Sequence, residues 1–537
     1  MNIRRIGDGR KQTWPDDEVG SKAANLARMA ALGLPVPPAF VLPIEACAGA
    51  AVANGAAEHQ LAGDLNEGIA YLETATGSKF GDRRRPLLVS VRSGAAVSMP
   101  GMLTTVLNVG CTSGAARGLI RMTGSPGFAW DCRRRFLESF AENVLDLDPS
   151  PFAAAVVEIM KGVGAATECD LDAEDRERLA VAYETAIAAG GGQVPDDAMA
   201  SLIAAGRAVC RSFWSDRART YRRLQKLDHL KGSAITVQAM VFGNRGRSSG
   251  SGVAFSRDPS TGNPDPVIDF LFDSQGEDVV SGRRTPRTEA TIDQAMRDVV
   301  AQLRDVLSRL ECHFGDVQDI EFTIEDGKLW VLQTRAAKRT PRAALRFAVD
   351  FVHKGLWSPD EAILQLQGLD RAALTINRFA ETGYVAARGT GAAAGVAVGR
   401  AAFNSSAAQR LAADGNPVIL VRPDTSTADV AGFSASAGIL TTVGGRTAHA
   451  ALVARQMGKP CVVGCATLRV DEKNCQARLA DAKITEGDWV SIDGGSGEVF
   501  LGQRKIVTEL PAIELQQLDS WRAVNAARQP ACRIPQT

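Results

Sequence analysis

The chain has 537 residues and a formal net charge of zero at pH 7, so charge alone gives it no attraction for nucleic acid or an anionic membrane. Hydrophobic residues make up 45% and charged residues 23% of the chain, the ordinary balance of a soluble globular protein. This length is too great for one hydrophobic core, so we expect roughly three or four structural units.

The N-terminal segment MNIRRIGDGRKQ lacks the apolar stretch of a secretory signal, and no apolar run approaches the roughly 18 residues of a membrane-spanning helix. Ten cysteines are scattered without C-x-x-C pairs, which favours reduced core thiols. The basic runs at 83–85 and 133–135 are typical of solvated faces. We therefore expect a cytoplasmic protein that binds neither membrane nor nucleic acid.

The first pattern of interest is a helix that opens at Gly20-Ser21-Lys22, carries apolar residues at helical spacing and ends at Gly33. A lysine in the first turn of a helix opposes the positive end of the helix dipole. Lys22 therefore either has an anionic partner or is a solvated surface lysine.

Residues 86–110 predict a buried strand from Leu87 to Val91, followed by a loop rich in Gly, Ser and Met. Arg92 stands where the strand passes into this loop, and such donor-rich loops suit phosphate contacts. The loop lacks the spacing of a Walker motif, so taken alone it is a weak signal.

A helical pattern then runs to about residue 230, and residues 231–262 return to two apolar strands around a turn rich in Gly, Ser and Asn. We interpret this pair as a hairpin or as a loop over a ligand. The strand Val237 to Val241 could form a wall beside a nucleotide base, which makes Gln238 and Met240 candidate nucleotide contacts.

Residues 317–336 predict a β-hairpin that turns at Asp326-Gly327. Asp319 and Glu321 are two residues apart and so share one face of the first strand, and we expect Gln333 and Arg335 near that face. Carboxylate and amide oxygens suit Mg²⁺, and an arginine suits the phosphates that the metal bridges. The alternative is an ordinary surface hairpin with a salt bridge.

The stretch 439–464, ILTTVGGRTAHAALVARQMGKPCVVG, predicts a strand, a glycine turn, a helix that begins at His449 and a buried strand. A helix N-terminus favours phosphate and keeps an imidazole neutral and nucleophilic. His449 is one of five histidines. From residue types alone, a capping or packing histidine is an equal alternative.

Together these motifs resemble the pyruvate, phosphate dikinase family of phosphoenolpyruvate-utilising dikinases. The resemblance extends from about residue 18 to about residue 520 and is carried by GSKAANLARMAALGLPVPPAF, LLVSVRSGAAVSMPGMLTTVLNVG, VQAMVFGNRGRSSGSGVAFSRDPSTG, QGEDVVSGRRTP, QDIEFTIEDGKLWVLQTR and GGRTAHAALVARQMGKPCVVG.

The resemblance implies a multidomain protein of α/β and α+β class. Residues 1–340 would be an ATP-grasp nucleotide-binding domain with a helical insertion at about 111–230, and 341–390 a helical linker. Residues 391–505 would be a swivelling β/α phosphohistidine domain, and 506–537 a truncated linker.

The resemblance also implies roles for residues. His449 would carry a phosphoryl group from ATP, with Mg²⁺ as cofactor, phosphate consumed, and AMP and pyrophosphate released. Lys22 and Arg92 would bind the triphosphate, and Thr447 matches a threonine that is regulated in plant relatives. The metal and phosphate group would be Asp319, Glu321, Gln333 and Arg335, with Glu321 and Gln333 as metal ligands.

This sequence departs from the family pattern at Thr104, where the family usually has an acidic residue, and at Arg446 and Ala448 beside the carrier motif. No βα repeat of the family's phosphoenolpyruvate- and pyruvate-binding barrel follows the linker. We therefore expect a separate barrel subunit or another phosphoryl acceptor, with a homodimer as a further expectation. The alternative is a nucleotide-binding regulatory or decayed homologue without turnover.

Overall fold

The computed structural model describes residues 3–50, 55–97, 99, 102–165, 167–281, 287–369, 371, 374–381, 383–425, 429–446, 448–480 and 482–528. Its backbone contacts divide the chain into two compact units. Unit one comprises residues 1–245 and 330–334, and unit two comprises residues 246–329 and 335–537.

Unit one alternates helices and strands before and after a run of helices. In chain order its elements are β1 (Arg4–Ile6), α1 (Asp16–Val19), α2 (Ser21–Ala31), β2 (Ala39–Leu42), α3 (Ile44–Ala50), α4 (Gly55–Thr76), β3 (Lys79–Phe80), β4 (Pro86–Leu87), β5 (Val89–Gly94), β6 (Thr105–Val109), α5 (Ser113–Thr123), α6 (Pro126–Asn143), α7 (Ser150–Val163), a 3₁₀ turn (Glu168–Asp170), α8 (Ala173–Ala189), α9 (Ala198–Ser212), α10 (Asp216–Leu224) and β7 (Ala234–Ala239).

The main sheet of unit one has the strand order β1-β2-β7-β5-β6. Residues at alternate positions of β5 and β7, including Val89, Val91, Ile235 and Val237, enter one apolar core together with residues of α4, α6 and α9. The two-residue period of a strand therefore sends the intervening, more polar residues to the other face.

The run from α5 to α10 lies between β6 and β7 and is the helical part of unit one. A core of its own joins α6 to α7 and α8, with Leu137, Phe152 and Tyr183 buried in it. On α6 the buried Asp131 accepts hydrogen bonds from Arg134 (3.0 Å), Arg135 (2.9 Å) and Asn244 (2.8 Å). This carboxylate therefore ties the helical part to the segment that follows β7.

Unit two begins with β8 (Gly250–Phe255), β9 (Val267–Phe272), α11 (Gly276–Ser281), β10 (Arg287–Thr288), α12 (Glu289–Phe314), β11 (Gln318–Glu325), β12 (Lys328–Ala336), α13 (Pro341–His353) and α14 (Pro359–Gln365). Its first sheet has the order β10-β9-β8-β11-β12. The turn between β11 and β12 is Asp326-Gly327, with φ of 48° and 77°. Positive φ at both central residues is typical of a type I′ turn, so the predicted hairpin is confirmed.

The remainder of unit two contains β13 (Ile376–Phe379), β14 (Ala387–Arg388), β15 (Thr390–Ala393), β16 (Val396–Ala402), α15 (Ser405–Ala413), β17 (Val418–Arg422), α16 (Val430–Ala435), β18 (Gly438–Thr441), α17 (His449–Gln456), β19 (Cys461–Val463), β20 (Leu468–Asp471), β21 (Gln476–Leu479), β22 (Ala482–Thr485), β23 (Trp489–Asp493), β24 (Glu498–Leu501), β25 (Ile506–Glu509) and α18 (Ala512–Arg528). An eight-stranded sheet in the order β14-β24-β23-β16-β17-β18-β19-β15 dominates this part.

The segments on either side of residues 391–505 pack together. β13 pairs with β25, and Leu518 and Trp521 of α18 share a core with Leu345 and Ala362 of α13 and α14. The helical part of the predicted linker at 341–390 ends at α14, because strands β13 and β14 occupy the rest of that range.

The two strands predicted around the Gly- and Ser-rich turn do not form a hairpin. β7 pairs with β2 and β5, whereas β8 pairs with β9 and β11. The connection between β7 and β8 is long enough to lead into a different sheet. Sequence alternation alone cannot distinguish this outcome from a hairpin.

Among the described helices, none is long and apolar enough to cross a membrane. The nine cysteines within the described ranges are free thiols. The part of the chain that the structure describes contains no cluster of three or more His, Cys, Asp or Glu side chains arranged to hold a metal ion.

We predict that Asp131→Asn lowers the free energy of unfolding by about 3–5 kcal/mol, because it removes the buried anion that Arg134 and Arg135 share. The measurement is urea unfolding followed by circular dichroism. Asp265→Asn, in the exposed loop before β9, is the control and should change stability by less than about 0.5 kcal/mol. Equal effects of the two substitutions would contradict this assignment.

The carboxylate of Asp131 also makes the free energy of unfolding depend on pH. Burial acts to raise the pKa of Asp131, but the charges of Arg135 and Arg134 outweigh it and hold the pKa well below its ordinary value. A lowered folded-state pKa contributes stability that is present above the unfolded-state pKa, near 3.9, and is lost as pH falls through the folded-state pKa. The difference between wild type and Asp131→Asn should therefore shrink as the pH falls below about 4.

Candidate functional site

Close backbone packing connects the start of α2 to the end of β5 in unit one. The backbone N–H and the hydroxyl of Ser21 donate to the carbonyl of Ala95 at 2.9 and 3.3 Å. Gly20 has a φ of 79°, and a Cβ at this position would lie 2.3 Å from the carbonyl oxygen of Gly94. Only glycine fits here, so the helix start bearing Lys22 meets the strand that carries Arg92.

The strand register places Arg92 on the polar face of the unit-one sheet. Arg92 is paired with Thr236 of β7, and Ser90 is paired with Gln238. Residues directly opposite in an antiparallel pair project to the same side, so Arg92 and Gln238 share one face. Lys22 and Arg92 are both half-buried.

The two candidate base-wall residues differ in their surroundings. Gln238 is 2% exposed, and its side-chain amide donates to the carbonyl of Pro37 at 3.2 Å. Met240 is half-buried, and its backbone N–H donates to the carbonyl of Leu88 at 2.9 Å. Gln238 thus holds the backbone that enters β2, and a nucleotide contact of either residue stays a prediction.

Gln333 belongs to unit one, because the neighbouring residues of β12 form hydrogen bonds with other residues of that unit. Asn25 of α2 donates to the carbonyl of Thr334 at 3.0 Å, and the Val331 N–H donates to the carbonyl of Pro35 at 2.8 Å. The side chain of Gln333 is half-buried.

Unit two brings Asp319, Glu321 and Arg335 together at the β11–β12 hairpin. The Nε of Arg335 donates to Oδ2 of Asp319 at 2.8 Å. Asp319 is 6% exposed, and its Oδ1 is buried without a hydrogen-bond partner among the described residues. A buried acceptor left open in this way is available to a bound cation or donor.

Burial raises the pKa of Asp319, the charge of Arg335 acts against this rise, and Glu321 adds to it. Partial desolvation acts to lower the pKa of Arg335, but the carboxylates of Asp319 and Glu321 outweigh it and raise that pKa. The three groups are therefore one electrostatic cluster.

The carrier stretch folds as predicted. β18 runs parallel to both β17 and β19, and α17 connects β18 to β19. The loop after β18 includes Gly444, with a φ of 112°, and α17 starts at His449. Ala448 is the N-cap and has no polar side-chain atom to accept the first helical N–H groups. Thr447 and the side chain of His449 lie outside the described residues.

Two family models match the chain. The model described as pyruvate phosphate dikinase, AMP/ATP-binding domain, matches residues 48–298 and 287–350, more than half of the sequence. The chain belongs to the pyruvate, phosphate dikinase family. The model described as PEP-utilising enzyme, mobile domain, matches residues 414–497, which include His449.

Named dikinases are similar to this chain along most of its length. Pyruvate, phosphate dikinase 1, chloroplastic, of Arabidopsis thaliana is 40% identical over 508 residues, which cover 94% of this chain and 53% of that protein. The dikinase of Clostridium symbiosum is 40% identical over 490 residues, 90% of this chain and 56% of its own length. The dikinase of Rhizobium meliloti (strain 1021) is 41% identical over 503 residues, which cover 91% of this chain and 56% of that protein. The chain thus spans about half the length of these relatives.

Two features of this dikinase-family fold escaped the sequence reasoning. The first is the close backbone contact between Gly20 and Gly94, which are far apart in sequence. A glycine at the start of the helix was the one local feature that pointed to it. The second is the burial of Arg455 in α17, which is 6% exposed. The one sequence feature that pointed to this burial was a charged residue inside an otherwise apolar helical run.

We predict that Gly20→Ala destabilises unit one and weakens ATP binding, because the added methyl group clashes with the backbone of β5. The matched control is Gly33→Ala, since Gly33 has a φ of 72° but open space around its Cβ position. The control should cost about 1–2 kcal/mol for the left-handed backbone, and Gly20→Ala should cost clearly more. Chemical denaturation and calorimetric titration with ATP measure the two effects. Equal stability losses and equal ATP affinities would refute the packing argument.

Proposed function

We propose that this chain catalyses the ATP-dependent phosphorylation of His449, as a pyruvate, phosphate dikinase-type phosphotransferase. The observation that carries the proposal is the position of His449 at the first residue of α17, within the stretch that matches the mobile-domain model. A helix start offers unpaired N–H groups and a positive dipole end, which favour a phosphorylated side chain.

In this reaction an imidazole nitrogen of His449 forms a bond to a phosphorus of ATP, and AMP leaves. Inorganic phosphate then takes the outer phosphoryl group and departs as pyrophosphate, which leaves one phosphoryl group on His449. Such in-line transfers need positioning and charge neutralisation more than covalent help from the protein. We assign triphosphate binding to Lys22 and Arg92, and contacts on the base side to Gln238 and Met240.

The residues of the β11–β12 hairpin suit a divalent cation. The unsatisfied, buried Oδ1 of Asp319 and the half-buried carboxylate of Glu321 are hard oxygen donors of the kind that Mg²⁺ prefers. We assign metal binding to Glu321 and to Gln333, on the family resemblance. When bound, Mg²⁺ would neutralise phosphate charge during transfer. Arg335, held by Asp319, would direct its remaining N–H groups to a phosphate.

The family membership supports the finer parts of the proposal. We propose an ATP-grasp fold for the nucleotide-binding part and a swivelling motion for residues 391–505. Pyruvate would be the final acceptor, because the similar proteins are named pyruvate, phosphate dikinases. The acceptor site on a separate barrel subunit, a homodimer, regulation at Thr447 and a cytoplasmic location stay predictions.

A second candidate function is a nucleotide-binding module without turnover. Thr104 favours it, because the family resemblance implies an acidic residue at that position. The backbone carbonyl of Thr104 accepts from the Ser93 hydroxyl at 2.9 Å, so the residue lies beside the strand of Arg92. ATP binding without AMP production would support this alternative.

We predict that ATP labelled at the β-phosphate transfers an acid-labile label to the protein, whereas label from the γ-phosphate leaves as pyrophosphate. The transfer of the β label should require Mg²⁺ and should disappear with EDTA, whereas the departure of the γ label should require inorganic phosphate. His449→Asn should abolish labelling, because amide nitrogen is not a nucleophile under these conditions. His353→Asn is the control, since His353 is the last residue of α13 and lies outside the carrier stretch 439–464. If the wild-type chain takes up no His449-dependent label, the catalytic proposal is wrong.

We further predict that Arg92→Met raises the Kd of ATP by about 10- to 150-fold, the loss of one hydrogen bond to a charged group worth about 1.5–3 kcal/mol. Calorimetric titration measures this affinity. Arg10→Met is the control, because the Arg10 side chain is 73% exposed near the N-terminus. An unchanged Kd for Arg92→Met would remove Arg92 from the triphosphate site.

A further inference from the structure

Arg455 lies on the same helix as His449, six residues further along, and is buried in unit two. One guanidinium nitrogen, Nη2, donates to the carbonyl of Arg446 in the loop that leads to His449. The guanidinium carbon lies 5.5 Å from the centre of the Phe255 ring, at the end of β8. The side chain therefore connects the loop before His449 to the first sheet of unit two.

The negative charges of carboxylates on that first sheet act on the guanidinium of Arg455. Burial lowers the pKa of Arg455, and the charges of Asp319 and Asp269 act in the opposite direction, followed by smaller contributions from Cys461 and Asp258. Asp319 lies on β11 and Asp269 on β9. The two largest contributions that favour the charged form of Arg455 thus come from the first sheet of unit two and not from the sheet next to α17.

Nη1 of Arg455, a donor, and Oδ1 of Asp319, an acceptor, are both buried without a hydrogen-bond partner among the described residues. A buried polar group without a partner costs free energy, roughly 1–3 kcal/mol. The other oxygen of Asp319 is occupied by Arg335 at 2.8 Å. The carboxylate of Asp319 therefore pairs with Arg335 and also acts on Arg455 through its charge.

Helix geometry separates this role from the chemistry at His449. Six residues of α-helix correspond to a rise of about 9 Å and a rotation of about 240°. Position 455 is thus on a different side of the α17 helix axis from position 449, and we assign Arg455 no part in the chemical step. A residue that only braced the loop before His449 would need Nη2 alone, whereas the guanidinium of Arg455 also lies over the ring of Phe255.

We propose that Arg455 is the positioning residue that docks the carrier segment, residues 391–505, onto the sheet bearing Asp319. Its guanidinium joins the loop before His449 to Phe255, with Asp319 as a charge that favours this position, and so sets where His449 stands during phosphorylation. The effect on catalysis rests on the proposed function, whereas the docking contact does not. Because Asp319 also holds Arg335, docking is coupled to the proposed phosphate-binding arginine.

The docking part is tested by spin-label distances in the full chain. One label is placed on Cys312, exposed on α12, and the other on Lys473→Cys, exposed in the turn after β20. Cys169, Cys475 and Cys532 are replaced by serine in all variants. We expect one narrow distance distribution in the parent protein, a broad one in Arg455→Met and an intermediate one in Arg455→Lys, which keeps the charge but has a single ammonium nitrogen in place of the guanidinium.

The matched control is Arg410→Met, because Arg410 forms its ion pair with Glu486 within the carrier segment. This variant should keep the narrow distribution. An Arg455→Met distribution as narrow as that of the parent, or a parent distribution as broad as that of Arg455→Met, overturns the proposal. If Arg455→Met does not fold, as judged by circular dichroism, the comparison of Arg455→Lys with the parent decides in the same way.

The catalytic part is tested by single-turnover labelling of His449 from β-labelled ATP. Arg455→Met should slow labelling at least tenfold with the Kd of ATP within twofold of the parent value, because the residue positions the carrier and does not bind nucleotide. A parallel loss of ATP affinity, or an unchanged labelling rate, overturns the positioning role. Absence of label in the parent protein refutes the proposed function instead, and the distance measurements still decide the docking contact.

Discussion

The alternation of side chains along β-strands is the constraint on which both groups of candidate residues depend. In β5, Val89 and Val91 enter the core of unit one, so Arg92 must project to the opposite face. In β11, Phe322 is buried next to Phe270, and Asp319 and Glu321 occupy the alternate positions. A slip of one residue in either strand would bury a charge and expose an apolar side chain, so the cores fix the faces that carry the charges.

A glycine with positive φ precedes the start of two helices, α2 and α17. Gly20 precedes α2 with a φ of 79°, and Gly444 precedes α17 with a φ of 112°. Neither N-cap residue, Gly20 or Ala448, has a side chain that accepts a hydrogen bond from the helix. The Ser21 N–H of α2 donates to the carbonyl of Ala95. A helix start without a side-chain cap is the local condition for anion binding. The first turns of these helices contain Lys22 and His449.

A buried ion network holds the first sheet of unit two to the helices next to it. Arg257, after β8, is 1% exposed, donates to Glu311 of α12 at 2.8–3.0 Å and pairs with Asp350 of α13 at 3.1 Å. α13 also packs with α14 and α18. Because breaking a buried pair leaves an uncompensated charge, this network fixes α13 to the sheet that bears Asp319. The contact between the Arg455 guanidinium and Phe255 involves the same sheet.

The sequence by itself determined most local elements of the candidate site: the helix that starts beside Gly20, the Asp326-Gly327 turn, and the helix that begins at His449. Periodicity and turn chemistry fix these because they act over a few residues. The strand predicted to end at Val91 instead continues to Gly94, so Arg92 lies inside β5 and not at the start of a loop. Only the tertiary structure decided that β7 and β8 enter different sheets, that the segment of Gln333 is bonded to unit one, and that Arg455 is buried against Phe255. These outcomes depend on hydrogen bonds and packing between residues far apart in the chain, such as Asn25 with Thr334, which no local pattern encodes.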